Sequence, residues 1–557
     1  MRVLWFFGAL VLWCLGGLIL TLAAQEGVGP ELAPIKFDDV AAEAGLDFVL
    51  ENNPTPEKHI IETMPGGLAV FDYNGDGLPD IFFTNGAALL SLEKSTLRHF
   101  NRLYRNEGGM KFTDLTEAAG VAGAGYSMGA AAADYDNDGH VDLFVAGVFR
   151  NLLYRNNGDG TFEELSEQAG IKSDLWGVAG GWFDYDRDGL LDLFVVNYAE
   201  WSTSYQRFCG DRDEGVRVYC HPKYYNPVRN ALYRNRGDGG FEDVTQKAGI
   251  APHKGRGMSV AFNDYDGDGL IDAFVTNDNL PNFLFRNQGD GSFEEVALVT
   301  GVALREHGKP VASMGVDFRD YDNDGKPDIN VTALAGETFP LFRNQGESFF
   351  QDATYSSRLA RLTMGFSAWG NGFFDFNNDG WKDLFTANSH VNDLIELFEA
   401  TEYKQRNSVF ANLGNGTFED VSAGVSEEFQ TARAHRGSAF ADFNGDGKID
   451  IVVTSLSEPT ELWQNISPES NNWVILDLEG SRSNRDGIGA RVRIGSQYNI
   501  MTTAVGYASS SYSGVHFGLG ETAVIDRIAI RWPSGTVQVL ENIAANQVLH
   551  IREPESR

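Results

Sequence analysis

Short apolar runs, rich in Val, Phe, Tyr and Thr and bounded by Gly and Asn, recur from residue 35 to residue 466. They form a repeating unit. A run of small and apolar residues leads into an acidic turn, then a second apolar run such as Leu143–Ala146. Runs of the form L-Y/F-R-N-x-G and F-x-D-x-T/A-x-x-x-G follow. The L-Y-R-N run recurs at Leu103–Asn106, Leu153–Asn156, Leu232–Asn235, Leu284–Asn287, Leu341–Asn344, Val409–Asn412 and Leu462–Asn465. The F-x-D run recurs at Phe112–Gly120, Phe162–Gly170, Phe241–Gly249 and Phe293–Gly301, with degenerate copies from Phe349 and Phe418. Four short strands per repeat, with acidic turns 62, 50, 80, 56, 55 and 67 residues apart, predict the blades of a β-propeller.

The phase of the repeat predicts how the ring closes. No F-x-D run follows Leu462–Asn465, and one stands alone at Phe37–Gly45 before the first acidic turn. That N-terminal run is expected to complete the seventh blade and so remove the sheet edges an open array would expose. Past Pro468 the pattern changes to alternating strands, as in Trp473–Leu478, Arg491–Ile494, Arg527–Trp532 and Gln547–Ile551. The chain reads as all-β: a seven-bladed propeller over residues 35–466, then a separate small sandwich-like β domain over residues 470–557.

The acidic turn reads D-x-D/N-x-D-G-x-x-D seven times. Its positions 1, 3, 5 and 9 are Asp72, Asn74, Asp76 and Asp80 in the first copy and Asp134, Asp136, Asp138 and Asp142 in the second. The third has Asp184, Asp186, Asp188 and Asp192; the fourth Asp264, Asp266, Asp268 and Asp272; the fifth Asp320, Asp322, Asp324 and Asp328. The sixth has Asp375, Asn377, Asp379 and Asp383, and the seventh Asp442, Asn444, Asp446 and Asp450. Alternate oxygens converge on one concavity, and Gly at position 6 permits the sharp turn, which suits a hard cation and above all Ca²⁺. The flanks are strands, and Phe83 and Val145 stand where an EF-hand needs an acidic twelfth ligand, so these are hairpin loops. Up to seven calcium ions, one per blade, are expected in a structural role, since no base or nucleophile accompanies the loops. The net charge of −34 argues against a nucleic-acid partner. These positions supply 25 carboxylates, and the remaining 53 acidic against 44 basic residues leave only −9.

The loops resemble FG-GAP or VCBS repeats, as in the integrin α-subunit propeller. Val515–Gly520, Asp526, Trp532–Gly535 and Asn546-Gln547 resemble an ASPIC/UnbV domain. Together they are similar to the cartilage-acidic-protein-like family. The resemblance implies a secreted seven-bladed propeller with calcium loops on one face and a ligand surface on the other, without implying an activity. Asn at position 3 in copies one, six and seven departs from the full carboxylate set and predicts weaker calcium binding there.

Residues 1–24 read as a secretory signal. The apolar run Val3–Leu20 is long for one, so an uncleaved membrane anchor is the alternative. Either places the chain outside the cytosol: secreted, periplasmic or at the cell surface. There Cys209 and Cys220 are expected to form a disulfide. They sit in the largest insertion, Tyr198–Asn230, whose aromatics suit either ligand stacking or a local mini-core. His59 with Glu62, His253, His307, His390 and His435 flank the loops without ligand spacing and read mainly as isolated side chains. Met128, Met258 and Met314, each six residues before a loop, read as inner-strand packing, with a soft-metal ring as the alternative. The functional expectation is a calcium-binding adhesion or interaction module for an extracellular protein or glycan. It has no nucleic-acid partner and meets the membrane only through an N-terminal anchor. The alternative is an extracytoplasmic enzyme with its site at the channel mouth.

Overall fold

The computed structural model describes residues 34–555 apart from Gln206 and Glu469; the expected signal or anchor lies outside the described residues. Among the described residues the repeats build seven blades of four antiparallel strands, and two tail strands extend the sheet of blade one to six. The second blade is typical: Ser127–Ala133 is innermost, followed by Asp142–Gly147, Leu152–Asn156 and Phe162–Glu164. The innermost strands touch their neighbours in cyclic order, and that of blade one (Leu68–Phe71) meets that of blade seven (His435–Ala441). Blade seven is completed by the N-terminal strand Phe37–Asp39, with Phe37 opposite Asn465. Among the described residues no helix is long and apolar enough to cross a membrane.

The F-x-D-x-T element is only partly strand. In Phe112–Gly120 the strand ends at Asp114, and Thr116–Ala119 form one helical turn closed by Gly120 at φ 78°. Asp114 Oδ1 accepts from the backbone N of Thr116 at 2.9 Å, and Thr116 Oγ1 accepts from Leu103 N at 2.9 Å. Short polar side chains that cap backbone donors stop a strand in this way.

The Asn of each L-Y-R-N run ties its blade to the preceding one. Its Nδ2 donates to the backbone carbonyl at position 2 of the previous acidic loop. Asn156 reaches Tyr73 (2.7 Å), Asn235 Tyr135 (2.8 Å), Asn287 Tyr185 (2.8 Å) and Asn344 Tyr265 (2.8 Å). Asn412 reaches Tyr321 (2.8 Å), Asn465 Phe376 (2.8 Å) and Asn106 Phe443 (3.0 Å), which closes the circle.

The tail forms two further sheets. One runs Val515–Gly520, Asn472–Glu479, Gln547–Arg552; the other Gln497–Ile500, Arg491–Ile494, Val524–Arg531, Val537–Ala544. It is less separate than its sequence pattern suggests. Val492, Ile528 and Trp532 share one buried cluster with Tyr135, Trp182 and Leu191 of the propeller. Between its sheets the chain dips into the ring. Ser509–Ser511 pairs in parallel with the innermost strand of blade one, Ala69 opposite Ser510. Gly506 exchanges backbone hydrogen bonds with Val316 of blade five, and Ala508 O accepts from Ala130 of blade two at 3.1 Å. Small residues make room: a Cβ on Gly67 would stand 2.1 Å from the Ala508 carbonyl oxygen.

Replacing one ring asparagine tests its part in closure. Asn287→Ala strands the buried carbonyl of Tyr185 and the partly buried one of Ile271. It is expected to cost about 2–4 kcal/mol in denaturant unfolding, from roughly 1–3 kcal/mol per buried group left unpaired. An unchanged midpoint would contradict the role.

Candidate metal centres

Each acidic turn links the innermost strand to the second strand, so all seven lie at one end of the channel. The turn is organised around two aspartates. Position 1 accepts the position-6 glycine N–H in every copy, as in Asp134 Oδ2 from Gly139 (2.8 Å) and Asp442 Oδ2 from Gly447 (2.7 Å). Position 9 opens the second strand and is fully buried. Both its oxygens accept backbone N–H groups, one from position 2 and one from the L-Y-R-N asparagine. For Asp142 these are Tyr135 (3.1 Å) and Asn156 (2.8 Å), and for Asp328 Tyr321 (3.2 Å) and Asn344 (2.7 Å). The same pair of bonds recurs at Asp80, Asp192, Asp272, Asp383 and Asp450.

In copies two to five, one ligand oxygen from each of positions 1, 3 and 9 lies within 4.8 Å of the others: Asp134, Asp136, Asp142; Asp184, Asp186, Asp192; Asp264, Asp266, Asp272; Asp320, Asp322, Asp328. These clusters fit Ca²⁺ and offer it oxygen ligands only. Position 5 does not join them: Asp138, Asp188, Asp268 and Asp324 each accept the N–H two residues on. In copies one, six and seven the position-3 amide donates to the position-5 carboxylate, as Asn74 to Asp76 (2.8 Å), Asn377 to Asp379 (3.0 Å) and Asn444 to Asp446 (3.2 Å). In those loops an amide stands where copies two to five have the position-3 carboxylate.

Charge compensation divides the copies differently, since in copy two Arg155 turns to Glu163 (2.9 Å). In copies three to five the L-Y/F-R-N arginine spans positions 3 and 5: Arg234 on Asp186 and Asp188, Arg286 on Asp266 and Asp268, Arg343 on Asp322 and Asp324. In copy one Arg105 turns instead to Glu107 (2.6 Å), and copies six and seven have Ala411 and Gln464 at this place. The tail adds contacts of its own. Arg491 pairs with Asp264, Asp486 Oδ2 accepts from Asp134 N (2.7 Å), and Lys382 Nζ bridges the carbonyls of Asp320 (2.9 Å) and Tyr498 (3.1 Å).

Burial crowds these carboxyls and shifts them toward the protonated form. Asp134 is pushed up to about 8 by burial and by Asp486, and Asp80 to about 8 mainly by burial. Burial likewise moves Asp184 to about 7 and Asp320 and Asp442 to about 6. Asp142, Asp192, Asp272 and Asp328 rise well above the usual range, again chiefly through burial.

The remaining His and Glu candidates do not gather into a group of three such ligands among the described residues. His253 packs against Phe283 and Phe285, His307 lies in an exposed loop, and the His59 ring lies edge-on to Trp201. His435 Nε2 lies 3.1 Å from Glu461 Oε2, both fully buried. Met128 is buried in the core, while Met258, Met314 and His390 line a cavity at the other end of the channel. Cys209 and Cys220 form the expected disulfide. In their insertion Tyr205 packs on Tyr225, and Trp201 packs on Trp176.

The sequence profile of the FG-GAP-like repeat matches residues 72–145, 146–195, 218–275, 264–331, 320–386 and 375–453, and that of ASPIC and UnbV matches 480–557. Cartilage acidic protein 1 of Homo sapiens is 26% identical over 341 residues, 58% of this chain and 47% of that protein. Its Mus musculus counterpart is 27% identical over 344 residues, 58% and 49%. The chain thus spans about half the length of these relatives. Among solved structures, an Agrocybe aegerita lectin specific for non-reducing terminal N-acetylglucosamine aligns with TM-score 0.39 and 15% identity, over 71% of this chain and 87% of that one.

The raised carboxyls set the sign of the pH dependence. The folded, metal-free loops hold protons to higher pH than the unfolded chain, so stability falls as pH rises through that window. The melting temperature of the chelated protein is expected to drop between about pH 5 and pH 8, and saturating calcium to abolish most of that slope. Equal slopes with and without calcium would contradict metal binding at these loops.

Proposed function

The chain belongs to the FG-GAP-like repeat family, and from that premise we propose that it is an extracytoplasmic, calcium-fastened interaction module that binds a protein or glycan partner. The observation that carries this reading is the division of labour between the two ends of the channel. The acidic loops and the tail occupy one end. The other end lies away from the acidic loops, is reached by the tail through Tyr507, and bears the disulfide-linked insertion, an exposed Tyr224, and exposed Leu397 and Phe398. Aromatic and aliphatic side chains grouped in this way suit recognition of a partner surface. The disulfide supports an oxidising, extracytoplasmic compartment. Calcium would stiffen the ring that presents this face without touching the partner.

Glycan arrays and capture of surface proteins by the calcium-loaded chain would test the reading. Phe398→Ala combined with Tyr224→Ala is expected to weaken the captured interaction about tenfold or more, the scale of losing one or two interface anchors. The calcium-dependent melting temperature should stay unchanged. Undiminished binding by this variant would move the interface elsewhere.

A further inference from the structure

At the end of the channel away from the acidic loops, a cavity of about 340 Å³ opens beside the insertion. That size falls within the range of small-ligand sites, roughly 300–1,000 Å³. Its apolar lining includes Met64, Met258, Met314 and Trp369. Trp369 packs edge-on against Tyr507 of the inserted tail at 4.9 Å, and Tyr507 Oη donates to the Met64 carbonyl at 2.7 Å. The tail therefore plugs the channel behind the cavity.

Two carboxylates stand on the wall. Asp278 is buried and accepts from Tyr198 Oη at 2.7 Å and from Asn279 Nδ2 at 2.9 Å. Glu337 is half-buried and accepts from Ala312 N at 2.8 Å. Burial, and more weakly the charge of Asp278, push Glu337 up. Glu399 adds a third carboxylate among the lining residues, which include no Lys or Arg. Arg436, outside the lining, already covers one face of Trp369. His390 is pushed down to about 4 by burial, and its Nδ1 accepts from Asn392 N at 3.0 Å, so it adds no positive charge at neutral pH.

Burial pushes both Asp278 and Glu337 toward the protonated form, Arg256 and Arg305 outside the lining offset this only in part, and a positive ligand beside them would favour their charged forms. A small metal ion is poorly served, because neither Asp278 nor Glu337 belongs to a group of three His, Cys, Asp or Glu ligand atoms within 4.8 Å of one another among the described residues. An ammonium head can donate hydrogen bonds to these carboxylates while its stem lies along the methionines and aromatic rings.

We propose that this cavity binds an aliphatic ammonium group on an apolar stem, supplied either by a free alkylamine or by a lysine side chain of a protein partner. The proposal rests on the reading of this end as the binding face and names what it takes.

Calorimetric titration of the calcium-loaded full chain with hexylamine, hexan-1-ol, hexanoate and Nα-acetyl-lysine amide tests it. Hexylamine is expected to bind about tenfold or more tighter than the alcohol or the acid, the scale of a charge-assisted hydrogen bond. Asp278→Asn with Glu337→Gln should remove that preference, and Glu337→Gln alone, at a half-buried position, should reduce it if the double variant folds poorly. Comparable affinity for the lysine derivative assigns the ammonium to a partner's side chain; binding of hexylamine alone assigns a free amine. Equal affinity for hexan-1-ol or hexanoate, or an undiminished hexylamine affinity in folded variants, would overturn the proposal. Loss of amine binding with partner capture intact would sink this inference alone.

Discussion

The ring depends on the aspartate at position 9 of each loop. In Asp142 and its six counterparts a buried carboxylate accepts two backbone N–H groups, one from its own turn and one from the L-Y-R-N strand. The asparagine whose backbone it holds then reaches with its side chain to the previous loop. Turn, blade and neighbouring blade are thus joined through one side chain. Burying seven carboxylates is costly unless something offsets their charge. The backbone donors supply part of that offset. The arginines of copies three to five pair with the neighbouring positions 3 and 5, and a cation among positions 1, 3 and 9 would supply the rest.

The tail extends the same logic. It sets Arg491 on Asp264 and Asp486 on the backbone of Asp134, then threads Ala504–Ser511 among the inner strands. The inner strands are rich in Gly, Ala and Ser because they converge on an axis that this insertion occupies. Glycine at 67 answers a close approach of the Ala508 carbonyl, so a side chain there would expel the plug. Closing the channel at mid-depth is what leaves a blind cavity at the far end.

Much of this was legible in the repeats. The phase of F-x-D against L-Y-R-N foretold that the N-terminal run completes blade seven, where Phe37 lies opposite Asn465, because a missing last strand and a spare first strand have one economical solution. The loop aspartates were legible from their alternation. The asparagine clasp had a visible signal, the same residue in all seven L-Y-R-N runs, but its partner is a backbone carbonyl in another blade, which no side-chain pattern reveals. The insertion of residues 504–511 was hidden for a related reason: Gly506, Ala508 and Ser510 act through backbone contacts in a channel, where small size is the only requirement. Asp278 and Glu337 come from blades four and five and share no spacing. Only the curvature of the ring brings them to one wall. The helical turn after F-x-D was obscured because Asp and Thr serve strands and caps alike.

Hydrogen exchange measured across the whole chain, with and without calcium, tests most directly whether loop occupancy and ring closure are one event. Slower exchange is expected on calcium addition in every blade, including residues 37–39 and the position-2 amides such as Tyr135 and Tyr321. Protection confined to the acidic turns, with the blade strands and the closing strand unaffected, would contradict it.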